Sequence, residues 1–239
     1  MIFFDLDNTL LDDDLATADG LDALHSRFAS RISRSRADLT SEWMRLIDHY
    51  FPRYLSGEMS MQEQRRARIR QVFDAIDSPI SDDDADAAHR VYIDGYEQGW
   101  RCYPDVVPTL GKLSHFSFGV ITNGNNEQQR KKLERTGLAR FFKTVITSDE
   151  FGVAKPNPRI FAEACRRGGV KPSKAIFVGD SWSADVEGSR SAGLYPIWIR
   201  RGGAAALPLT HQPNVPTIQS LDELPGTIDA LTSLATYSL

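Results

Sequence analysis

The sequence predicts an α/β fold, a Rossmann-like parallel sheet carrying an inserted all-helical domain of four helices. Three observations predict it. The chain opens on an apolar run, Ile2-Phe3-Phe4, that stops at Asp5 and Asp7. Residues 15–100 contain almost no β-branched runs and repeat apolar residues at helical spacing. From about residue 104, short apolar runs alternate with helical patterns, as a parallel sheet with helices on both faces requires. The first strand alone buries nothing, so it must join that later sheet. The expected domains are therefore 1–14 with 101–239 as an α/β core, and 15–100 as a helical insert between the first and second strands.

A chain of 239 residues buries a sizeable core, and 41% hydrophobic with 25% charged residues is ordinary for a globular protein. A net charge of −4 argues against a nucleic-acid polymer or a membrane surface as partner, so any phosphate recognition must be local. Cys102 and Cys165 are too few for a disulfide framework or a structural zinc site. No apolar run approaches the ~20 residues of a membrane span. No basic-then-apolar leader precedes the first strand, so a cytoplasmic location is expected, and separately a monomer or homodimer. That strand is very short, which leaves open whether residues precede Met1.

Helices are expected over Leu15 to Ile32, Leu39 to Tyr54, Ser60 to Ile76 and Ser81 to about Gln98, with breaks at Gly57 and Ser78-Pro79. Ser60 reads as an N-cap, and Ser81 with Asp84 as a loose capping box. Further on, Pro104 to Leu113 reads as a helix, Phe116 to Thr122 as a strand, and Glu127 to Thr136 as a helix closed by Gly137. Thr144 to Thr147 is a strand and Pro158 to Gly168 a helix. Ala175 to Val178 is a strand, residues around Asp185 to Ala192 a helix, and Pro196 to Ile199 the last clear strand. The tail from about 203 reads as a loop, an edge strand near Thr217-Ile218 and a helix near Leu221 to Leu231.

In open parallel sheets, ligands bind beyond the carboxyl ends of the strands. Asp5 and Asp7 fall after the first strand, Thr122 and Asn123 after the second, and Asp180 and Asp185 after the strand ending in Gly179. Lys155-Pro156 heads a helix downstream of the third. Two carboxylates held together repel unless a cation or proton lies between them, and carboxylate oxygens suit Mg²⁺. Each group also has a structural reading: an Asx turn, a tight turn, a helix start, an N-cap. Their coincidence along one sheet edge favours a site. By contrast, Asp12-Asp13-Asp14 and Asp82-Asp83-Asp84 precede helices, where acidic residues stabilise the N-terminus. Arg65, Arg66, Arg68 and Arg70 read as a solvated helix face.

Asp5-Leu6-Asp7-Asn8-Thr9, Thr122, Lys155-Pro156 and Gly179-Asp180-Ser181 with Asp185 resemble, in order, the four motifs of the haloacid dehalogenase-like hydrolase superfamily. The resemblance covers nearly the whole chain, with the helical insert where that superfamily places its type 1 cap domain. Ile121-Thr122-Asn123-Gly124 and Gly152-Val153-Ala154-Lys155-Pro156 look most like its small-molecule phosphatase branch, which includes nucleotidases, flavin mononucleotide phosphatases and N-acylneuraminate-9-phosphatases. The resemblance implies a phosphomonoesterase acting on a small phosphorylated metabolite. Asp5 would be the nucleophile that forms an aspartyl-phosphate, and Asp7 the general acid and base. Mg²⁺ would be held by Asp5, the Asp7 carbonyl and Asp180. Thr122, Asn123 and Lys155 would hold phosphate. Asp185, with Ser181 beside it, would orient Lys155 or a water on the metal.

The same motifs serve phosphosugar mutases, and the fold also carries 2-haloacid dehalogenases. The resemblance argues against the latter, which lack the second aspartate of the first motif. Most insert aromatics (Trp43, Tyr50, Phe51, Tyr54, Tyr92, Tyr96 and Trp100) read as core, with one or two available to stack on a flat leaving group. Arg45 or Arg53 is the alternative contact, for an acidic leaving group, and Trp182 is placed to line the entrance.

Overall fold

A computed structural model describes residues 1–73, 80–202 and 215–236. The chain divides into two compact units, Met1–Asp12 with Cys102–Leu239, and Asp13–Arg101.

The first unit is built on a six-stranded, all-parallel sheet in the order β3-β2-β1-β4-β5-β6. The strands are β1 (Ile2–Phe4), β2 (Phe118–Thr122), β3 (Phe142–Thr147), β4 (Ile176–Gly179), β5 (Tyr195–Ile199) and β6 (Thr217–Ile218). Despite its three residues, β1 lies at the centre, with Phe3 opposite Gly119 on one side and Phe177 on the other. Alternate residues feed opposite faces. Ile2, Phe4, Val120 and Val178 enter one apolar cluster, while Phe3, Ile121 and Phe177 enter another. A sheet covered on both faces explains why its strands read as unbroken apolar runs.

The helices of this unit follow from local signals. Asn125 caps the helix Asn126–Arg135 by accepting from Gln128 N at 3.1 Å, and Gly137, at φ 71°, lies just beyond its end. Asn157 caps the helix Pro158–Gly168. Two elements differ from expectation. A short helix, Ser148–Phe151, follows β3 directly, its start marked only by the Thr147 cap. The helix expected over Asp185 to Ala192 begins instead as a π-turn, Trp182–Glu187, and becomes α-helical only over Gly188–Ser191. Single π-turns inside helices recur at functional sites.

The second unit has helices at Asp13–Arg27, Arg36–Leu55, Met61–Val72 and Asp82–Gln98 among its described residues. Ser60 forms a full capping box with Glu63, and Ser81 accepts from Asp84 N at 3.1 Å. Both aspartate runs supply acidic residues to helix first turns. The expected extension of the third helix to Ile76, the Ser78-Pro79 break and the loop over 203–214 lie outside the described residues.

One expectation fails here. The basic run is not a uniformly solvated face. Gln64, Arg68, Ile69 and Val72 point into the core, and Arg68 is only 8% exposed with its guanidinium 4.6 Å from the Trp43 ring. Helical periodicity places Arg68 on the same stripe as Val72, so it turns inward with it. Arg66 and Arg70 do stay outside and pair with Asp82, and Arg66 also pairs with Asp86. Trp43, Tyr92 and Tyr96 are buried in the same cluster, as core aromatics should be.

Candidate active site

Asp5 continues the β1 ladder by one residue, its amide donating to Val178 O at 2.9 Å. The carboxylate of this buried residue is therefore fixed at the carboxyl edge of the central strand. Lys155 Nζ donates to Asp5 Oδ1 at 2.5 Å and to Asp185 Oδ1 at 2.7 Å. Burial alone would lower the Lys155 pKa, but Asp185 and Asp5 outweigh it and hold the ammonium protonated. Asp185 reaches this position because the π-turn folds it back over β4. A Cβ on Gly179 would lie 2.5 Å from Asp185 Cγ, so that close approach requires glycine. Its second oxygen, Oδ2, accepts from Ser181 N at 3.0 Å.

Asp180 follows β4, with its carbonyl held by Trp198 Nε1 at 2.8 Å. Its carboxyl is pushed up to about 7, first by burial and then by Asp185. Burial also pushes Asp5 well above the usual carboxylate range against the pull of Lys155, and Asp185, Asp180 and Asp7 add to the rise. The cause in both cases is surplus negative charge in a dry place, which one ammonium does not neutralise. One oxygen from each of Asp5, Asp180 and Asp185 lies within 4.8 Å of the others. Hard carboxylate oxygens at this spacing suit Mg²⁺. Both Asp185 oxygens already accept from protein donors. Asp5 and Asp180 are thus the better placed pair for a cation.

Asp7 is not drawn into that cluster. It lies in the turn after β1, where Asn8 takes φ 57°, a left-handed conformation that asparagine tolerates. Its carboxylate accepts from Lys132 Nζ at 2.6 Å and Gln129 Nε2 at 2.8 Å. Thr122, 1% exposed at the end of β2, has its oxygen engaged as an acceptor for the same Gln129 amide at 2.7 Å. The Thr122 O–H therefore remains a donor. Asn123 braces Lys155 rather than pointing outward, accepting from Lys155 N at 2.8 Å and donating to Lys155 O at 3.0 Å. Ser181 caps the π-turn at Ala184 N. Trp182 donates to Glu187 and packs edge-on against Trp198.

Four contributors carry no motif and were not expected: Gln129, Lys132, Trp198 and Arg201. Arg201 donates to Thr9 O at 2.7 Å and to Asp105 Oδ2 at 2.6 Å, which clamps the turn after β1. Only the three-residue spacing of Gln129 and Lys132, on one face of the helix that follows Thr122, offered a signal.

Known proteins are similar to this chain in sequence and fold. Residues 1–193 match the family model of haloacid dehalogenase-like hydrolases. The chain is 42% identical over 135 residues to a glyceraldehyde 3-phosphate phosphatase of Methanopyrus kandleri, covering 56% of this chain and 58% of that protein. It thus spans little more than half the length of that curated relative. It is 30% identical over 237 residues to (S)-2-haloacid dehalogenase 1 of Pseudomonas sp. (strain CBS-3), covering 96% of each. Among solved structures, the HAD hydrolase YfnB of Bacillus subtilis, bound to magnesium, superposes with a TM-score of 0.77 at 24% identity, covering 95% of this chain and 96% of that one. The motif order, the parallel sheet and the family match over most of its length agree: the chain belongs to the haloacid dehalogenase-like hydrolases.

Proposed function

We propose that the protein is a Mg²⁺-dependent phosphomonoesterase that releases phosphate from a small phosphorylated metabolite through an aspartyl-phosphate on Asp5. The observation that carries this reading is Asp7: a second carboxylate, two residues from Asp5, with both oxygens held by dedicated donors. Phosphoryl transfer to a carboxylate needs a proton for the departing alcohol and later a base for water. Halide departs without a proton, so the dehalogenase chemistry of the Pseudomonas relative gives Asp7 no task. The phosphatase relative supports the same choice.

In this reading Asp7 enters the cycle protonated, the free oxygen of Asp5 attacks phosphorus while the bond to the leaving oxygen breaks, and Asp7 gives its proton to that oxygen. Water then attacks the phosphorus of the aspartyl-phosphate, Asp7 takes its proton, and the carboxylate of Asp5 departs with both oxygens restored. Lys155 places positive charge beside the transferring group, and the Thr122 hydroxyl donates to a phosphoryl oxygen. Asp5, Asp180 and the Asp7 carbonyl would hold Mg²⁺, which offsets the repulsion between carboxylate and phosphate dianion. Asn123 acts through Lys155 by fixing its backbone. Asp185 and Ser181 do so through the ammonium and the π-turn. The residue 15–100 segment would act as the cap that selects the leaving group.

The test is phosphate release from a panel of nucleoside monophosphates, flavin mononucleotide, sugar phosphates and 4-nitrophenyl phosphate, with Asp5→Asn as the blank. Metal-dependent release that is lost in Asp5→Asn supports the reading. Halide release from a 2-haloacid, with no phosphate from any ester, replaces it with the dehalogenase.

A further inference from the structure

Lys132 and Gln129 are each only 2% exposed, on a helix whose other polar residues mostly face water. An ammonium that deeply buried is costly unless paired. Here the pairing is with Asp7, at 2.6 Å from Lys132 Nζ to Oδ1. The Gln129 amide takes the other oxygen and at the same time holds Thr122 Oγ1. Free aspartate side chains sample several rotamers. Two donors on separate oxygens fix both the direction and the plane of this one. Gln129 further locks the Asp7 carboxylate to Thr122, so that one amide registers against each other the two groups that the phosphomonoesterase reading assigns to proton transfer and phosphoryl binding.

We infer that Lys132 and Gln129 are positioning residues that aim the Asp7 carboxyl at the leaving-group oxygen. The inference rests on the phosphomonoesterase reading. Proton transfer needs donor and acceptor within hydrogen-bond reach, and a displacement of about 1 Å costs on the order of 100-fold in rate. The proton passes from Asp7 to the leaving oxygen as the phosphorus–oxygen bond breaks, and returns to Asp7 from the attacking water. Neither Lys132 nor Gln129 exchanges a proton in the cycle.

Leaving-group dependence separates positioning from simple structural support. The ethoxide oxygen of ethyl phosphate must be protonated as it departs, whereas 4-nitrophenolate leaves without a proton. Single-turnover ethanol release and the pre-steady-state nitrophenol burst are measured for the wild type, Lys132→Met, Lys132→Arg and Gln129→Met at saturating Mg²⁺. The expected result is that Lys132→Met and Gln129→Met slow ethyl phosphate cleavage about 30-fold or more beyond their effect on the burst, a share of the usual general-acid contribution. The loss should appear in kcat rather than KM, with Lys132→Arg recovering most of it. Equal slowing of both substrates overturns the positioning role while leaving the phosphatase reading intact. A wild type that releases phosphate from no ester of the panel overturns that reading and this inference with it. If Lys132→Met does not fold, Gln129→Met carries the test, because it leaves the Lys132–Asp7 ion pair in place.

Discussion

The Asp185 carboxylate fills the space where a side chain at Gly179 would begin, with Cγ 2.5 Å from the site of an added Cβ. Gly179→Ala must therefore push Asp185 off Lys155. Overpacking of this kind costs about 1–3 kcal/mol. Phosphate release should fall at least about tenfold, because the ammonium loses its second anchor. Thermal melting and steady-state kinetics of the variant check both effects; wild-type kinetics in Gly179→Ala would refute the packing argument.

Surplus negative charge at Asp5, Asp180 and Asp185 makes cation binding measurable without turnover. Mg²⁺ should raise the melting temperature, with about 2.7 kcal/mol gained at one hundred times Kd. Asp180→Asn should remove most of that shift while still folding. An undiminished shift in Asp180→Asn would move the cation elsewhere. Excess chelator should stop phosphate release.

His89 sits buried in the helical unit, and its imidazole is lowered to about 3 by burial first and then by Arg65 and Arg68, with Asp86 opposing. In the unfolded chain its pKa is about 6.5. Between these values the unfolded chain binds the extra proton. The contribution is thus fully present above pH ~6.5 and falls as pH drops toward 3, by at most about 1.4 kcal/mol per unit. Denaturant midpoints at pH 7.5 and 5 should differ less in His89→Phe than in the wild type. Equal pH dependence in the two proteins would mean that His89 is not the titrating group.

Arg68 has no carboxylate partner among the described residues, its Nε is buried without an acceptor, and burial lowers its pKa to about 10. Its contact with Trp43 contributes about 1–2 kcal/mol. Desolvating the cation costs several kcal/mol. Desolvation outweighs the ring contact, so Arg68→Met, of similar length, should raise the unfolding free energy by about 1 kcal/mol or more. Urea denaturation measures it, and a loss of stability would show that the cation–aromatic contact dominates.

The alternation of strands and helices, the helical insert and the positions of Asp5, Asp7, Thr122, Lys155 and Asp180 were legible in the chain alone. The succession of strands along the chain follows from apolar runs and turn residues, and a parallel sheet carries its working groups to one edge by construction. The π-turn that folds Asp185 over Gly179 was not legible, because one extra residue in a helical turn leaves the apolar spacing almost intact. Nor was the inward turn of Arg68, because a basic run looks the same whichever side faces the core. Asn123 shows the same limit. Its place after β2 could be read, but its grip on the Lys155 backbone depends on a residue thirty-two positions away. The sequence by itself determined which groups reach the sheet edge, since strand ends are set locally. Only the tertiary structure decided which donor each of them meets. The Lys132–Asp7 and Lys155–Asp5 pairs join residues more than a hundred positions apart, and no local spacing encodes such a pairing.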